Sequence, residues 1–152
     1  MRKLSFALSA LAIAAVTAGV ALAADSSNMG SMGAKMNNVF HVNPMTKSGQ
    51  QGTVTITPVS ADKTKVVISI TNEPVGAIQP AHIHKGNCEH PGAVIIPLTD
   101  VVAGHSMTIV NKPIGQVSIT GDSVNIHKSA AQINVYVGCA DLHNIAGNMG
   151  NM

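Results

Sequence analysis

Six short segments of the chain alternate apolar and polar residues, with an apolar side chain at every second position. Side chains of a β-strand point to opposite faces in turn, so this period of two predicts strands with one buried face. Valine and isoleucine fill most of these positions, which favours strand over helix. The predicted buried faces are Val54 and Ile56; Val66, Ile68 and Ile70; Met107 and Ile109; Val117 and Ile119; Val124 and Ile126; and Ile133, Val135 and Val137.

Turn-forming residues separate the alternating segments at regular intervals. Glycine, proline and aspartate favour the backbone conformations of tight turns and interrupt strands. About seven or eight short strands with such breaks predict an all-β fold, a Greek-key sandwich or barrel, over residues 39–143. The breaks fall at Ser48-Gly49, Glu73-Pro74, Pro91-Gly92, Ala103-Gly104, Lys112-Pro113 and Gly121-Asp122.

The first 23 residues have the three parts of a secretory signal peptide. Arg2 and Lys3 form a charged start, residues 4–20 are apolar, and residues 21–23 supply the small residues of a cleavage site. This arrangement predicts export to the periplasm and removal of the leader. No other segment is long and apolar enough to span a bilayer, so we expect no membrane anchor after cleavage.

Two methionine-bearing tails are predicted to flank the domain, at residues 24–38 and 144–152. Their content of glycine, serine and asparagine opposes stable structure. Methionine thioethers are soft ligands that suit Cu(I), so the tails are either copper-binding segments or plain flexible leaders. The methionines are Met29, Met32 and Met36 in the first tail and Met149 and Met152 in the second.

Charge and motif content argue against several classes of function. Loss of Arg2 and Lys3 with the leader leaves seven basic and seven acidic residues, and no arginine at all. A near-neutral chain with few aromatic residues gives no support to nucleic-acid binding. The sequence also lacks a glycine-rich phosphate loop and a serine nucleophile elbow. The candidates that remain for chemistry are histidine and cysteine.

The segment His82-Ile83-His84 is a His-x-His motif within a short apolar run. In an extended strand the two imidazoles point to the same face, where they form half of a metal site. Neutral imidazole is the commonest protein ligand for copper and zinc. The alternative is a pair of surface histidines on an exposed strand.

The chain has two cysteines, Cys88 and Cys139. An even number of cysteines in an exported chain indicates a disulfide, and a pair of thiolate metal ligands is the alternative. A disulfide across a loop of about 50 residues would stabilise the fold by roughly 4 kcal/mol.

These motifs follow one another in an order that resembles the Cu,Zn superoxide dismutase-like superfamily, including the related CHRD-type domains. In that superfamily a His-x-His pair and a later histidine bind copper, and a cysteine after the pair forms a disulfide with a cysteine near the last strand. The resemblance implies that His82, His84 and His127 bind one copper ion and that Cys88 pairs with Cys139. It rests on residues 79–86, Cys88, residues 125–130 and residues 136–139, and it spans roughly residues 50–142.

The chain departs from this resemblance at the zinc site and at the arginine that guides superoxide to copper. The full enzymes bridge the two metals with a further histidine, for which His90 is the only candidate, and no histidine-rich zinc loop follows. His90 is therefore either a fourth copper ligand or an ordinary loop histidine, and we expect no zinc. The position of the arginine holds Tyr136. Lys85 and Lys128 adjoin proposed ligands, but an ammonium lacks the planar fork of arginine.

Three functions remain open from the sequence. The first is an exported copper-binding protein for copper handling or tolerance, indicated by the missing zinc loop, the missing arginine and the methionine tails. The second is a copper-only enzyme related to superoxide dismutase, with superoxide as its substrate. The third is a structural sandwich without metal. The sequence predicts no oligomeric state. We expect His105 to be structural or to face solvent. We expect His143 to be exposed, and the alternative is a weak metal site shared with Met149 and Met152.

Overall fold

The computed structural model describes residues 38–143, so the predicted leader and all of both tails except Asn38 lie outside the described residues. In this range the chain forms ten β-strands and two short 3₁₀ helices. No helix in the described range is long and apolar enough to cross a membrane. The strands are β1 (Asn38–Pro44), β2 (Gln51–Ser60), β3 (Lys63–Thr71), β4 (Ile78–Gln79), β5 (Ala81–His84), β6 (Val94–Pro97), β7 (Val101–Val102), β8 (His105–Val110), β9 (Ser123–His127) and β10 (Tyr136–Asp141), and the 3₁₀ helices are Ile114–Gln116 and Ala130–Gln132.

The strands form one curled antiparallel sheet in the order β4-β7-β8-β3-β2-β1-β10-β9-β5-β6, which confirms the all-β prediction. Neighbours that are distant in sequence, such as β3 with β8 and β5 with β9, give the crossover connections of a Greek key. β1 lies in the middle of this order and joins its two parts, because it pairs with both β2 and β10. Below, β2, β3 and β8 are called the threonine half, and β5, β9 and β10 the histidine half.

The inward faces of the two halves supply one hydrophobic core. The alternation in β2, β3 and β9 is confirmed, because every aliphatic side chain predicted to face inward there is buried. Complete burial of one such side chain stabilises the fold by roughly 1.5–3 kcal/mol. These buried residues are Val54 and Ile56 in β2, Val66, Ile68 and Ile70 in β3, and Val124 and Ile126 in β9.

The prediction for β8 has the correct strand but the wrong buried face. Met107 and Ile109 are 55% and 46% exposed, whereas Ser106 and Val110 face the core. Ser106 is buried because its hydroxyl donates to the carbonyl oxygen of Thr99 at 2.6 Å, which satisfies its polar group in the interior. The inward face of β8 is thus shifted by one residue from the prediction, and the hydroxyl of Ser106 faces inward instead of the side chain of Met107.

Two further predicted strand segments are turns. Val117 follows the first 3₁₀ helix, and its N–H donates to the carbonyl oxygen of Ile114 instead of to a neighbouring strand. The second 3₁₀ helix ends shortly before Val135, whose N–H donates back to Gln132, so strand β10 begins only at Tyr136. Short turns therefore use the backbone groups that a sheet would need. The strand count still exceeds the prediction, because β4 and β7 are two-residue strands.

Candidate metal centre

The outer face of the histidine half brings together three histidines from two strands. In the antiparallel pair β5–β9, His82 lies opposite Asn125 and His84 lies opposite Ser123. Directly opposed residues share a face, and so do residues two apart on one strand. His127, two residues after Asn125, therefore joins the histidine pair on this face.

The three imidazoles lie close enough to share one ion. Each offers a nitrogen, and these atoms all lie within 4.8 Å of one another. The closest contact joins Nδ1 of His82 and Nε2 of His127 at 3.0 Å. Ring centroids are 4.8 Å apart for His82 and His127 and 5.4 Å apart for His84 and His127. Nitrogens bound to one ion at about 2 Å lie at most about 4 Å apart, so a slight closure of the widest pair suffices.

Backbone carbonyls orient two of the three rings. Nδ1 of His84 donates to the carbonyl oxygen of Gly92 at 2.9 Å, and Nδ1 of His127 donates to that of Ile133. These bonds fix the tautomers, so the lone pair of each ring lies on Nε2. Nε2 of His84 is buried and has no hydrogen-bond partner. A ring held in place by a carbonyl, with its other nitrogen bare and buried, is the arrangement of a metal ligand.

Burial lowers the pKa of two of these histidines, His82 and His127. Desolvation lowers the pKa of His82, as does the neighbouring His84, while Asp100 opposes the shift. Desolvation also lowers the pKa of His127, against the hydrogen bond to Ile133, which raises it. A metal ligand must be deprotonated to bind, so a lowered pKa leaves more of each ring ready near neutral pH. Three imidazole ligands fit a copper site, since they suit both oxidation states of copper.

The disulfide between Cys88 and Cys139 is formed, with an S–S distance of 2.04 Å. It excludes the alternative of two thiolate ligands. The bond ties the loop after β5 to strand β10, and the N–H of Cys88 also donates to a carboxylate oxygen of Asp141 at 2.7 Å. The same loop carries Gly92, whose carbonyl orients His84, so the crosslink holds part of the histidine surroundings.

Tyr136 packs its ring against the histidine cluster. Its ring centroid lies 4.9 Å from that of His127 and 5.9 Å from that of His84, nearly perpendicular to the latter. In the sequence analysis, this position was noted only because the resemblance led us to expect an arginine there. The contact was not predicted, although Tyr136 pairs directly with His127 across β9 and β10.

The other histidines singled out from the sequence lie apart from this cluster. His90 is exposed in the loop after β5, where its N–H donates to Asn87, and it is outside the group of three. His105 is exposed on β8, as expected. His143 is exposed too, and its ring is tilted by 57° against that of Phe40, with the ring centroids 4.7 Å apart.

The two candidate lysines differ in their surroundings. Lys85 forms an ion pair with the buried carboxylate of Asp122 at 3.3 Å. Lys128 is exposed on the strand end that follows His127. The positive charge next to β5 is thus partly neutralised within the fold.

Two solved structures share this architecture. Two mutant forms of superoxide dismutase 5 from Candida albicans match it, with TM-scores of 0.52 and 0.50 and sequence identities of 18% and 15%. Each match covers 70% of this chain and 90% of the other. The chain has the superoxide dismutase-like fold. No protein-family model matches the sequence, and no curated protein does. The expected likeness is therefore confirmed for the fold, and the CHRD label stays a prediction.

Proposed function

We propose that this protein is an exported copper-binding protein that holds one copper ion through His82, His84 and His127 and serves copper handling or tolerance. The observation that carries the proposal is the meeting of three imidazole nitrogens within 4.8 Å. The bare, buried Nε2 of His84 supports it, because a buried polar atom without a partner destabilises the apo-protein unless something binds there.

A binding role is favoured over dismutation by the surroundings of the cluster. An aromatic ring, that of Tyr136, stands where the related enzymes carry their guiding arginine. Lys85, which directly follows β5, is paired with Asp122. A positive field at the mouth of a site can raise the encounter rate of an anion tenfold or more. The pairing of Lys85 with Asp122 reduces the charge available for such a field.

The second candidate, a copper-only superoxide dismutase-like enzyme, is favoured by the fold itself. Under that alternative, superoxide reaches copper without an arginine. Tyr136→Arg would then add the missing charge and raise the rate of superoxide decay in a salt-sensitive way. If wild-type copper-loaded protein accelerates superoxide decay no more than free aqueous copper does, the enzymatic alternative is removed.

Export is supported by the signal-peptide pattern and by the disulfide. Disulfides persist in oxidising compartments such as the periplasm and are rare in the cytosol. Metal content after isolation from the periplasm would test this part, together with the expectation of copper and no zinc. Recovery of zinc at one equivalent per chain would contradict the expectation of copper and no zinc.

The methionine tails are proposed as a second, softer binding region for Cu(I). Thioethers prefer Cu(I), and both tails flank the same domain. Deletion of residues 24–37, which leaves β1 intact, is expected to weaken Cu(I) binding but not Cu(II) binding. Unchanged Cu(I) affinity would reduce the first tail to a leader.

A copper titration tests the site directly. The apo-protein should bind one equivalent of Cu(II) and give an electron paramagnetic resonance spectrum with nitrogen hyperfine structure. The double variant His82→Ala/His127→Ala should lose that spectrum, whereas His105→Ala, an exposed histidine on the other half, should keep it. Survival of the spectrum in the double variant would show that the assignment is wrong.

A further inference from the structure

Asn125 occupies the centre of the histidine face and is fully buried, at 0% exposure. It lies opposite His82 across β5 and β9 and two residues before His127 on β9. Asparagine is depleted in strands, and a completely buried one is uncommon. Its presence among metal-binding candidates therefore calls for a polar partner.

Hydrogen bonds on one side of the residue settle how its amide is oriented. The hydroxyl of Ser123 donates to the carbonyl oxygen of Gly86 at 2.7 Å, so Oγ of Ser123 can only accept a further hydrogen bond. Nδ2 of Asn125 donates to Oγ of Ser123 at 2.9 Å. A reversed amide would place two acceptors against each other. The amide nitrogen of Asn125 is thus the atom directed at Ser123, and its amide oxygen Oδ1 is directed away from Ser123.

Oδ1 of Asn125 is buried and has no hydrogen-bond partner, as is Nε2 of His84. Nearly all buried polar groups in folded proteins are paired. Bare buried oxygens also occur on Gln50, Glu73, Gln79 and Asp122, but His84 belongs to the histidine cluster and Asn125 lies directly opposite His82. Both are electron-pair donors without a proton, since the tautomer of His84 is fixed by Gly92. They cannot satisfy each other, but a single cation would satisfy both.

The reach of the side chains is compatible with a shared ion. Cβ atoms of directly opposed residues in antiparallel strands lie about 4.5–5.5 Å apart. His82 faces the cluster with Nδ1, the ring nitrogen nearer its Cβ. Nδ1 and the amide oxygen of Asn125 are each two bonds from Cβ, so they extend to similar heights above the sheet.

We infer that Oδ1 of Asn125 is a fourth donor to the copper ion, an oxygen that completes a three-nitrogen, one-oxygen set with His82, His84 and His127. The inference rests on the proposed function. A tetragonal set of nitrogen and oxygen ligands suits Cu(II), whereas Cu(I) prefers softer donors or three imidazoles. Asn125 thus favours the oxidised ion.

Replacement of the amide tests this assignment. Asn125→Leu should weaken Cu(II) binding about tenfold or more while Cu(I) binding changes less than about threefold. A net tenfold difference would raise the Cu(II)/Cu(I) potential by about 59 mV. The spectrum of bound Cu(II) should shift as an oxygen donor is lost. The control is Gln50→Leu, which removes another buried amide with a bare oxygen, outside the histidine cluster, and should leave copper binding unchanged.

The thermal stability of the apo-protein should change in the opposite direction to its copper affinity. Because Asn125→Leu removes a bare buried acceptor, its thermal midpoint without copper should equal or exceed that of wild type, while the increase on copper binding becomes smaller. A purely structural role predicts a lower apo midpoint and an unchanged copper increment, which would overturn the inference.

A second variant keeps the question decidable if leucine does not fit. Asn125→Asp retains an oxygen at the same place and should bind Cu(II) at least as tightly as wild type. Loss of affinity equal to that of Asn125→Leu would exclude the oxygen donor. Wild-type protein that binds no copper would end the proposed function itself, whereas tight binding that is insensitive to residue 125 would end only this inference.

Discussion

The two halves of the sheet share their inward chemistry and differ on their outward faces. Both direct aliphatic side chains, such as Ile68 and Ile126, into one core. On the threonine half, the outward row of Thr55, Val67 and Met107 is half-buried or open to solvent. On the histidine half, the outward residues of β9 are all buried.

This difference shows where the fold can place chemistry. An outward face is normally solvated and needs no partners inside the protein. The outward face of β9 is polar and yet buried, so each of its groups requires a specific partner. Ser123 and His127 have partners within the fold, whereas His84 and Asn125 keep one bare atom each. Other bare buried atoms occur on Gln50, Glu73, Gln79 and Asp122, so it is the position of His84 on β5 and Asn125 on β9, beside the histidine cluster, that marks the site.

The largest expected effect comes from the disulfide, which has no counterpart on the threonine half. Cys88→Ser should lower the free energy of unfolding by roughly 4 kcal/mol, because the unfolded chain loses a crosslink across 51 positions. Denaturant unfolding of the variant measures this. Cys139→Ser should match it closely, and a loss below about 1 kcal/mol in both variants would show that the crosslink contributes little.

Truncation of one isoleucine on each half tests the assignment of faces. Ile126→Ala should cost about 2–5 kcal/mol, because the side chain is completely buried in the core. Ile109→Ala, at 46% exposure on β8, should cost much less. Equal losses in thermal or denaturant unfolding would contradict the reversed face of β8.

The aromatic ring beside the cluster should affect copper more than stability. Tyr136→Ala removes the ring that packs on His84 and His127, and we expect copper affinity to fall about tenfold, the usual effect of losing a group that orients ligands. Tyr136→Phe keeps the ring and serves as the control. Isothermal titration with Cu(II) distinguishes them, and equal affinities for both variants and wild type would give the ring no role.

The smallest expected effect is on the pH dependence of the apo-protein. Burial lowers the pKa of His82 and of His127 below the ordinary value near 6.5, so the unfolded chain binds more protons than the folded one just below that pH. Apo stability should therefore be constant above about pH 6.5 with respect to these groups and should fall as the pH drops below it. His82→Gln/His127→Gln should flatten this dependence in unfolding experiments between pH 7 and pH 5, and an unchanged slope would exclude these two rings as its source.

Sequence reasoning predicted the strands whose aliphatic residues alternate without interruption. It failed at β8, where the hydroxyl of Ser106 replaces an apolar inward residue, and around Val117 and Val135, where turns use the backbone groups. These outcomes depend on hydrogen bonds to distant backbone groups, such as the carbonyl of Thr99. Residue types alone do not specify such bonds.

The candidate site was only partly predictable from the sequence. The histidines and cysteines are residue types with few common roles, so their order could be compared with a known family. Asn125 and Tyr136 gave no such signal, because their importance follows from strand register beside His82 and His127. The alternation in β9 could have placed Asn125 on the face of His127. Its orphaned oxygen, however, is visible only once Ser123 and Gly86 are in place.

The most direct test of the central claim is a crystal structure of the copper-loaded protein with anomalous scattering recorded at the copper edge. We expect one strong peak on the outer face of the histidine half, within about 2 Å of Nδ1 of His82 and of Nε2 of His84 and His127. A peak at any other histidine, or a fully loaded protein in which these three rings remain unligated, would contradict it.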